Sequence, residues 1–136
     1  MHALQEGRRV LRPRGILIDL RPMSVDVPLE IVSEEGCESA GIMDMSPGIE
    51  SDIQADNAVQ TVVGSGDFKE LSLETFTLAY YWKTVEDMKA DVDDLWKDDV
   101  NLRDEVAQQA RILFSRHPDS RVRIRIRRRL ARLEKQ

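Results

Sequence analysis

The stretch from Arg12 to Pro22 constrains the fold more than any other part of the sequence. Pro13 ends whatever helix precedes it, because proline has no N–H to donate and its ring clashes with the preceding turn. Gly15 permits the turn that follows. Then comes Ile16-Leu17-Ile18-Asp19-Leu20, almost continuously apolar, rich in β-branched side chains and closed off by Pro22. A short apolar run between two turn signals is a strand, and its lack of polar alternation predicts cover on both faces, as in a parallel sheet. Upstream, Leu4, Val10 and Leu11 fall on one face of a short helix. Arg8, Arg9 and Arg12 sit at its C-terminal end, where positive charge suits the helix dipole. Helix, turn and central parallel strand make this an α/β chain.

The other end of the sequence carries a different strand signal. In Arg121-Val-Arg-Ile-Arg-Ile-Arg127, Val122, Ile124 and Ile126 fall on one face and Arg121, Arg123, Arg125 and Arg127 on the other, which is a strand with one face buried. Phe68 to Trp82 is a second long strand, with Glu70, Ser72 and Glu74 on one face at its start and Leu71, Leu73 and Thr75 on the opposite one. If the two pair antiparallel, arginine meets glutamate across the sheet. Each such exposed pair contributes about 0.2 to 1 kcal/mol.

The connecting segments read as one hairpin and three helices. Pro28 to Ser33 and Glu38 to Met45 flank Glu34-Glu35-Gly36-Cys37, which suggests a β-hairpin. Ser46-Pro47 opens a helix with Ile49, Ile53, Val59 and Val63 along one face, stopped by Gly64 to Gly66. Thr84 caps a helix whose stripe is Val85, Met88, Val92, Leu95 and Trp96. Asn101 caps another, with Leu102, Val106, Ala110 and Leu113 on one face, ending near His117-Pro118.

The segment Arg9-Val-Leu-Arg-Pro-Arg-Gly-Ile-Leu-Ile-Asp-Leu20 resembles the R-V-L-K/R-P-G-G motif, followed by apolar residues, of class I S-adenosylmethionine-dependent methyltransferases. In that family it forms the turn from the fourth helix to the fifth strand. Arg14 stands where the motif has its first glycine. The match covers about residues 2 to 22; beyond them only the order of elements agrees. The resemblance implies a partial Rossmann-like sheet, with strands corresponding to the family's fifth, seventh and sixth, flanking helices, and one subdomain over 1–136. It also implies that the cofactor-binding turn, which follows the first strand in such folds, lies outside these residues. S-adenosylmethionine would then be bound only where a partner chain supplies that half.

Charge and residue usage narrow the functional classes. The net charge of -5 is uneven. Residues 1–22 hold five arginines against Glu6 and Asp19, and residues 121–136 hold eight bases against Glu134. The segment between is strongly acidic. Hydrophobic residues make up 41% and charged residues 33%, a globular balance, and no apolar run is long enough to span a bilayer. Cys37 is the only cysteine, so no internal disulfide forms and a cytoplasmic setting is expected. His2, His117 and Cys37 have no metal-ligand spacing and form no triad. Gly64-Ser65-Gly66 follows a helix and precedes a strand, the reverse of the order that points amides at a phosphate. The sequence therefore offers no catalytic, metal or cofactor residue.

What remains is surface. Asp19 and Arg21 lie at the C-terminal end of the first strand, where open α/β sheets bind ligands, and form a candidate ligand rim. Ile16, Leu17, Ile18 and Leu20 form a candidate interface, since unpaired backbone along an apolar strand attracts partners. Either residues 28–45 fold back over that edge or another polypeptide pairs with it. The expected function is a non-catalytic methyltransferase-like module for oligomerisation or protein interaction, as a homodimer or with a protein supplying the missing half. The alternative is one half of a split methyltransferase. Nucleic-acid binding through Arg121, Arg123, Arg125 and Arg127 is a third class, weakened because no base-stacking aromatics are interleaved with them.

Overall fold

The computed structural model describes residues 2–136. Four α-helices and five strands follow in the order α1 (His2–Val10), β1 (Ile16–Pro22), β2 (Val27–Ser33), β3 (Gly36–Met43), α2 (Ile49–Gly64), β4 (Phe68–Trp82), α3 (Val85–Leu95), α4 (Asp104–Arg116) and β5 (Arg121–Lys135). The strands form one antiparallel sheet in the order β1-β5-β2-β3, with β4 also paired to β5. The chain is thus α/β, but its first strand is not a parallel one: β1 runs antiparallel to β5, with Ile16 opposite Glu134 and Pro22 opposite Arg128. The 28–45 segment does form a hairpin, β2 and β3. It pairs with β5 through Leu29–Val32 against Arg121–Ile124, and so does not cover the edge of β1.

The residues cluster into two compact units, each drawing on β4 and β5. The first holds residues up to Met23, Glu50–Phe76 and Arg127–Gln136. Its core is Val59 and Val62 of α2, Phe68 of β4, and Ala131 and Leu133 of β5, with Leu4, Leu11 and Leu17 packed against them. Helix α1 lies close on β1, since a Cβ added at Gly7 would meet Leu17 Cδ1 at 2.7 Å. The second unit, Ser24–Ile49 and Thr77–Ile126, is built on Leu29, Met43, Met88, Val122 and Ile124. Val122, Ile124 and Ile126 are buried, as their alternation predicts. Trp82, Tyr80 and Trp96 close one side of that core with edge-on contacts, and the Trp82 indole donates to Asp91 at 2.7 Å.

Capping accounts for the start of α3, and packing for the differences from the predicted stripes. The Thr84 hydroxyl accepts from the Asp87 N–H at 3.1 Å, which starts α3. Asn101 does not cap α4; it bridges to Asp44, and the helix starts at Asp104. Leu95 is exposed because α3 ends there and Trp96 takes the core position. Ile49 and Ile53 are exposed because α2 reaches its core only through its second half. In α1, Leu4 and Leu11 pack inward while Val10 faces out.

Arg14 has φ +63°. It occupies, in the turn before β1, a left-handed backbone conformation that favours glycine. For a residue with a Cβ this costs about 1 kcal/mol or more. Arg14→Gly should therefore raise the stability of the chain by roughly 0.5 to 1 kcal/mol in equilibrium denaturation. A loss of stability would mean that the arginine side chain matters more than the turn's backbone.

Candidate functional site

Strand β1 combines two properties that a closed sheet does not leave together, and the hydrogen-bond ladder shows the first. The Met23 N–H donates to the Arg127 carbonyl and the Lys135 N–H to the Gly15 carbonyl, both at 2.9 Å. With the register of the pair, the ladder bonds fall on the odd-numbered residues of β1, because N–H and C=O of one residue point to the same side of an antiparallel strand. The amides of Ile16, Ile18 and Leu20 therefore point to an edge that pairs with no strand among the described residues. Pro22 falls on the same side, where a missing N–H costs the ladder nothing.

The second property is side-chain exposure. Leu17 packs into the core with Phe68, Ala131 and Leu133, so its neighbours Ile16, Ile18 and Leu20 point to the other face. Ile18 is 54% exposed and Leu20 49%. By the same alternation from Phe68, Leu71 and Leu73 of β4 lie on that face too, and Leu73 is 48% exposed. The expectation of a strand covered on both faces is thus corrected: β1 is covered on one. Of the four residues predicted as an interface, Ile16, Ile18 and Leu20 form an exposed row, and Leu17 belongs to the core.

The predicted ligand rim is engaged within its own unit. The Arg21 guanidinium donates to both oxygens of Asp19 (2.9 and 3.0 Å) and to Asp56 of α2 at 2.9 Å. Arg129, directly opposite Arg21, donates to the same Asp56 oxygen at 2.8 Å. Burial opposes the charge of Arg21, but these hydrogen bonds outweigh it and raise its pKa. Asp56, which bridges two strands from a helix, had no signal in the sequence.

The arginine strand is organised around another acid, Glu30, which is only 3% exposed. Its carboxylate accepts from Arg123 at 2.6 Å, from Arg125 at 2.8 Å and from the Cys37 thiol at 2.8 Å. Burial pushes the Glu30 carboxyl up, while the hydrogen bonds from Arg123, Cys37 and Arg125 outweigh that and hold it below its ordinary value. The Cys37 thiol is pushed up, by partial burial and by that carboxylate, so it is not an activated nucleophile. The acid opposite the arginines is thus on β2: Arg123 and Arg125 form ion pairs with Glu30. Arg121 and Arg127 are exposed. The signal for Glu30 was present in Val27-Pro-Leu-Glu-Ile-Val32, where one acid interrupts an apolar run.

No other group converges on a chemistry. His2 is exposed on α1, and His117 Nδ1 lies 3.8 Å from Glu35 beside an open depression of about 420 Å³ that mixes Glu34, Glu35 and Asp119 with Arg116. No group of His, Cys, Asp and Glu among the described residues is placed to hold a metal ion. No described helix is long and apolar enough to cross a membrane. Gly64 and Gly66 close α2 ahead of β4, so their amides do not form the helix N-terminus that a nucleotide requires. Neither protein-family models, nor curated proteins, nor solved structures gave a match to this chain.

Replacing Glu30 by glutamine leaves two guanidinium groups around a buried neutral amide, and should cost roughly 2 to 3 kcal/mol, discounted because Arg125 is half exposed. The native carboxyl titrates below its unfolded value, so its contribution is complete above about pH 4.3 and is lost as pH falls through the lower native value. Acid titration of folding should therefore show a flatter low-pH limb in Glu30→Gln than in the wild type. Identical limbs would remove Glu30 from the acid response.

Proposed function

We propose that this chain is an interaction module whose first unit docks onto another polypeptide through the exposed face of β1 and β4. The single observation that supports this most is the coincidence of an open strand edge with an exposed apolar row on the same strand, at Ile16, Ile18 and Leu20. Isolated exposed apolar residues are ordinary; a row of three on one open-edged strand, with Leu130 of β5 opposite Leu20, is the kind of grouping that marks a contact surface. The ion-pair clusters are internally matched by contrast, each arginine pair sharing one carboxylate.

A second reading rests on the strand order. Strand β5 lies between β1 and β4, as the last strand of the S-adenosylmethionine-dependent methyltransferases lies between the fifth and sixth. On this reading the chain is one half of a split enzyme. The open edge and bare face of β1 are then where a partner bearing the nucleoside-binding turn would sit. The present residues do not themselves fit the cofactor, because no glycine turn among them opens a helix toward a ligand.

Two measurements test these readings. A photo-crosslinking residue at position 18 or 73, in the protein expressed in its own cells, should give protein adducts. The same residue at position 53, equally exposed on α2, should give none. Equal labelling at all three positions, or none at any, would remove the interaction role. Titration calorimetry of the chain with S-adenosylmethionine should show no binding heat, and micromolar affinity would contradict both readings by placing a complete cofactor site in one chain.

A further inference from the structure

We propose that the depression at the C-terminal end of α4 binds a linear polyamine, a chain of methylenes carrying several ammonium groups. The site lies wholly in the second unit and does not depend on the interaction role proposed above. Ile31 of β2 and Val122 of β5 pair in register and are buried in the core that α4 covers. One row further, on the same side of the sheet by alternation, stand Ser33 and Ser120. A depression of about 420 Å³ opens over that row, between the two serines, the end of α4 at Arg116 and His117, and the acids Glu34, Glu35 and Asp119. A second, of about 300 Å³, shares Ser33, Glu35 and His117 with it and continues past Glu38.

The lining holds no catalytic constellation, but its charge is one-sided and unmatched. Glu34, Glu38 and Asp119 form no ion pair among the described residues, and neither does Arg116 in the same wall. Glu35 meets only His117, at 3.8 Å. Elsewhere in the sheet one carboxylate serves two arginines, so the bare acids here stand in contrast. The dipole of α4 adds to them, because its negative end lies at the site. At the floor, Ser120 is fully buried and its hydroxyl has no hydrogen-bond partner. A buried polar atom left unpaired costs free energy. A ligand N–H reaching to the floor removes that cost.

Together these features select a ligand that is positively charged and donates hydrogen bonds. A metal ion is a poor fit, because no group of His, Cys, Asp and Glu among the described residues converges closely enough to hold one. The carboxylates are instead strung along two joined depressions, which suits ammonium groups spaced along a flexible chain. An anion would meet Glu34, Glu35, Glu38 and Asp119 with only Arg116 and His117 to offset them. The two volumes fall at the lower end of the range for small-molecule sites, about 300 to 1,000 Å³. Because the mouth is open, solvent and salt screen the charges, and affinity of roughly high-micromolar to millimolar order is expected.

Amide chemical-shift mapping of the full chain, titrated with spermidine at about 0.15 M salt, tests this. Saturable shifts centred on residues 33–38 and 116–121 are expected. Glu35→Gln combined with Asp119→Asn, both at exposed positions, should weaken spermidine roughly five- to tenfold. Arg116→Gln should tighten it severalfold, and Ser120→Ala should weaken it severalfold. Asp93→Asn combined with Asp94→Asn removes the same charge from exposed positions of α3 and should leave the affinity unchanged. Absence of saturable shifts up to several millimolar overturns the site. So do shifts spread equally over the acids of α3, or equal weakening by the two double variants, since either means attraction to net charge alone. If Ser120→Ala does not fold by circular dichroism, the exposed variants decide: affinity indifferent to both Arg116→Gln and the Glu35 and Asp119 pair overturns the inference.

Discussion

Strand β5 is hydrogen-bonded to β1, to β2 and to β4, and the rest of the fold is organised by what this strand needs. Only a few of its residues are apolar and buried: Val122, Ile124 and Ile126 in one unit, Ala131 and Leu133 in the other. Arginines fill most of the remaining positions. Guanidinium groups inside a sheet are tolerated only where carboxylates and hydrogen bonds meet them. Each unit supplies one carboxylate that serves two arginines. Glu30 takes Arg123 and Arg125, and Asp56 takes Arg21 and Arg129. Both acids come from segments distant in sequence, so they tie β5 to β2 in one unit and to β1 and α2 in the other.

The same strand explains why β1 is left half-covered. Paired on one edge to β5 and packed on one side through Leu17, β1 has its structural requirements met by its odd-numbered residues alone. Asp19 and Arg21 belong to that row and are spent on ion pairs. The even-numbered residues have no role inside the protomer, yet they are Ile16, Ile18 and Leu20, among the more apolar residues of the chain. An edge strand with such a row invites association, which natural sheets usually suppress with charge or proline. Here Pro22 blunts one end of the edge and the face stays apolar, which fits association through the face better than through the edge.

Much of the architecture was legible in the sequence. The limits of β4 follow from Phe68 and Trp82, the Thr84 cap fixes α3, and the arginine alternation gives β5 and its buried row. The turn between α1 and β1 was legible too, from Pro13 and Gly15, though nothing in the sequence marked Arg14 as its left-handed residue. The two-sided cover of β1 was misread because a continuous apolar run looks the same whether its second face meets a helix or a different molecule. The acids were misassigned for a related reason. Alternation shows which residues of β4 share a face, but nothing local shows that β2 and α2 deliver the carboxylates. Glu30 and Asp56 act across 93 and 73 residues of sequence from Arg123 and Arg129, a range over which single-chain periodicity is silent.

Residue-resolved hydrogen exchange across β1 tests the central claim most directly. A strand bonded to β5 on one edge and open on the other should show alternation, with slow amides at Leu17, Asp19 and Arg21 and fast amides at Ile16, Ile18 and Leu20. Packing of a partner against the face would leave this pattern intact, because it does not touch the edge. Uniformly slow exchange through Ile16–Leu20 would mean that a strand occupies the edge, and the account of β1 as a half-covered strand serving a face contact would be contradicted.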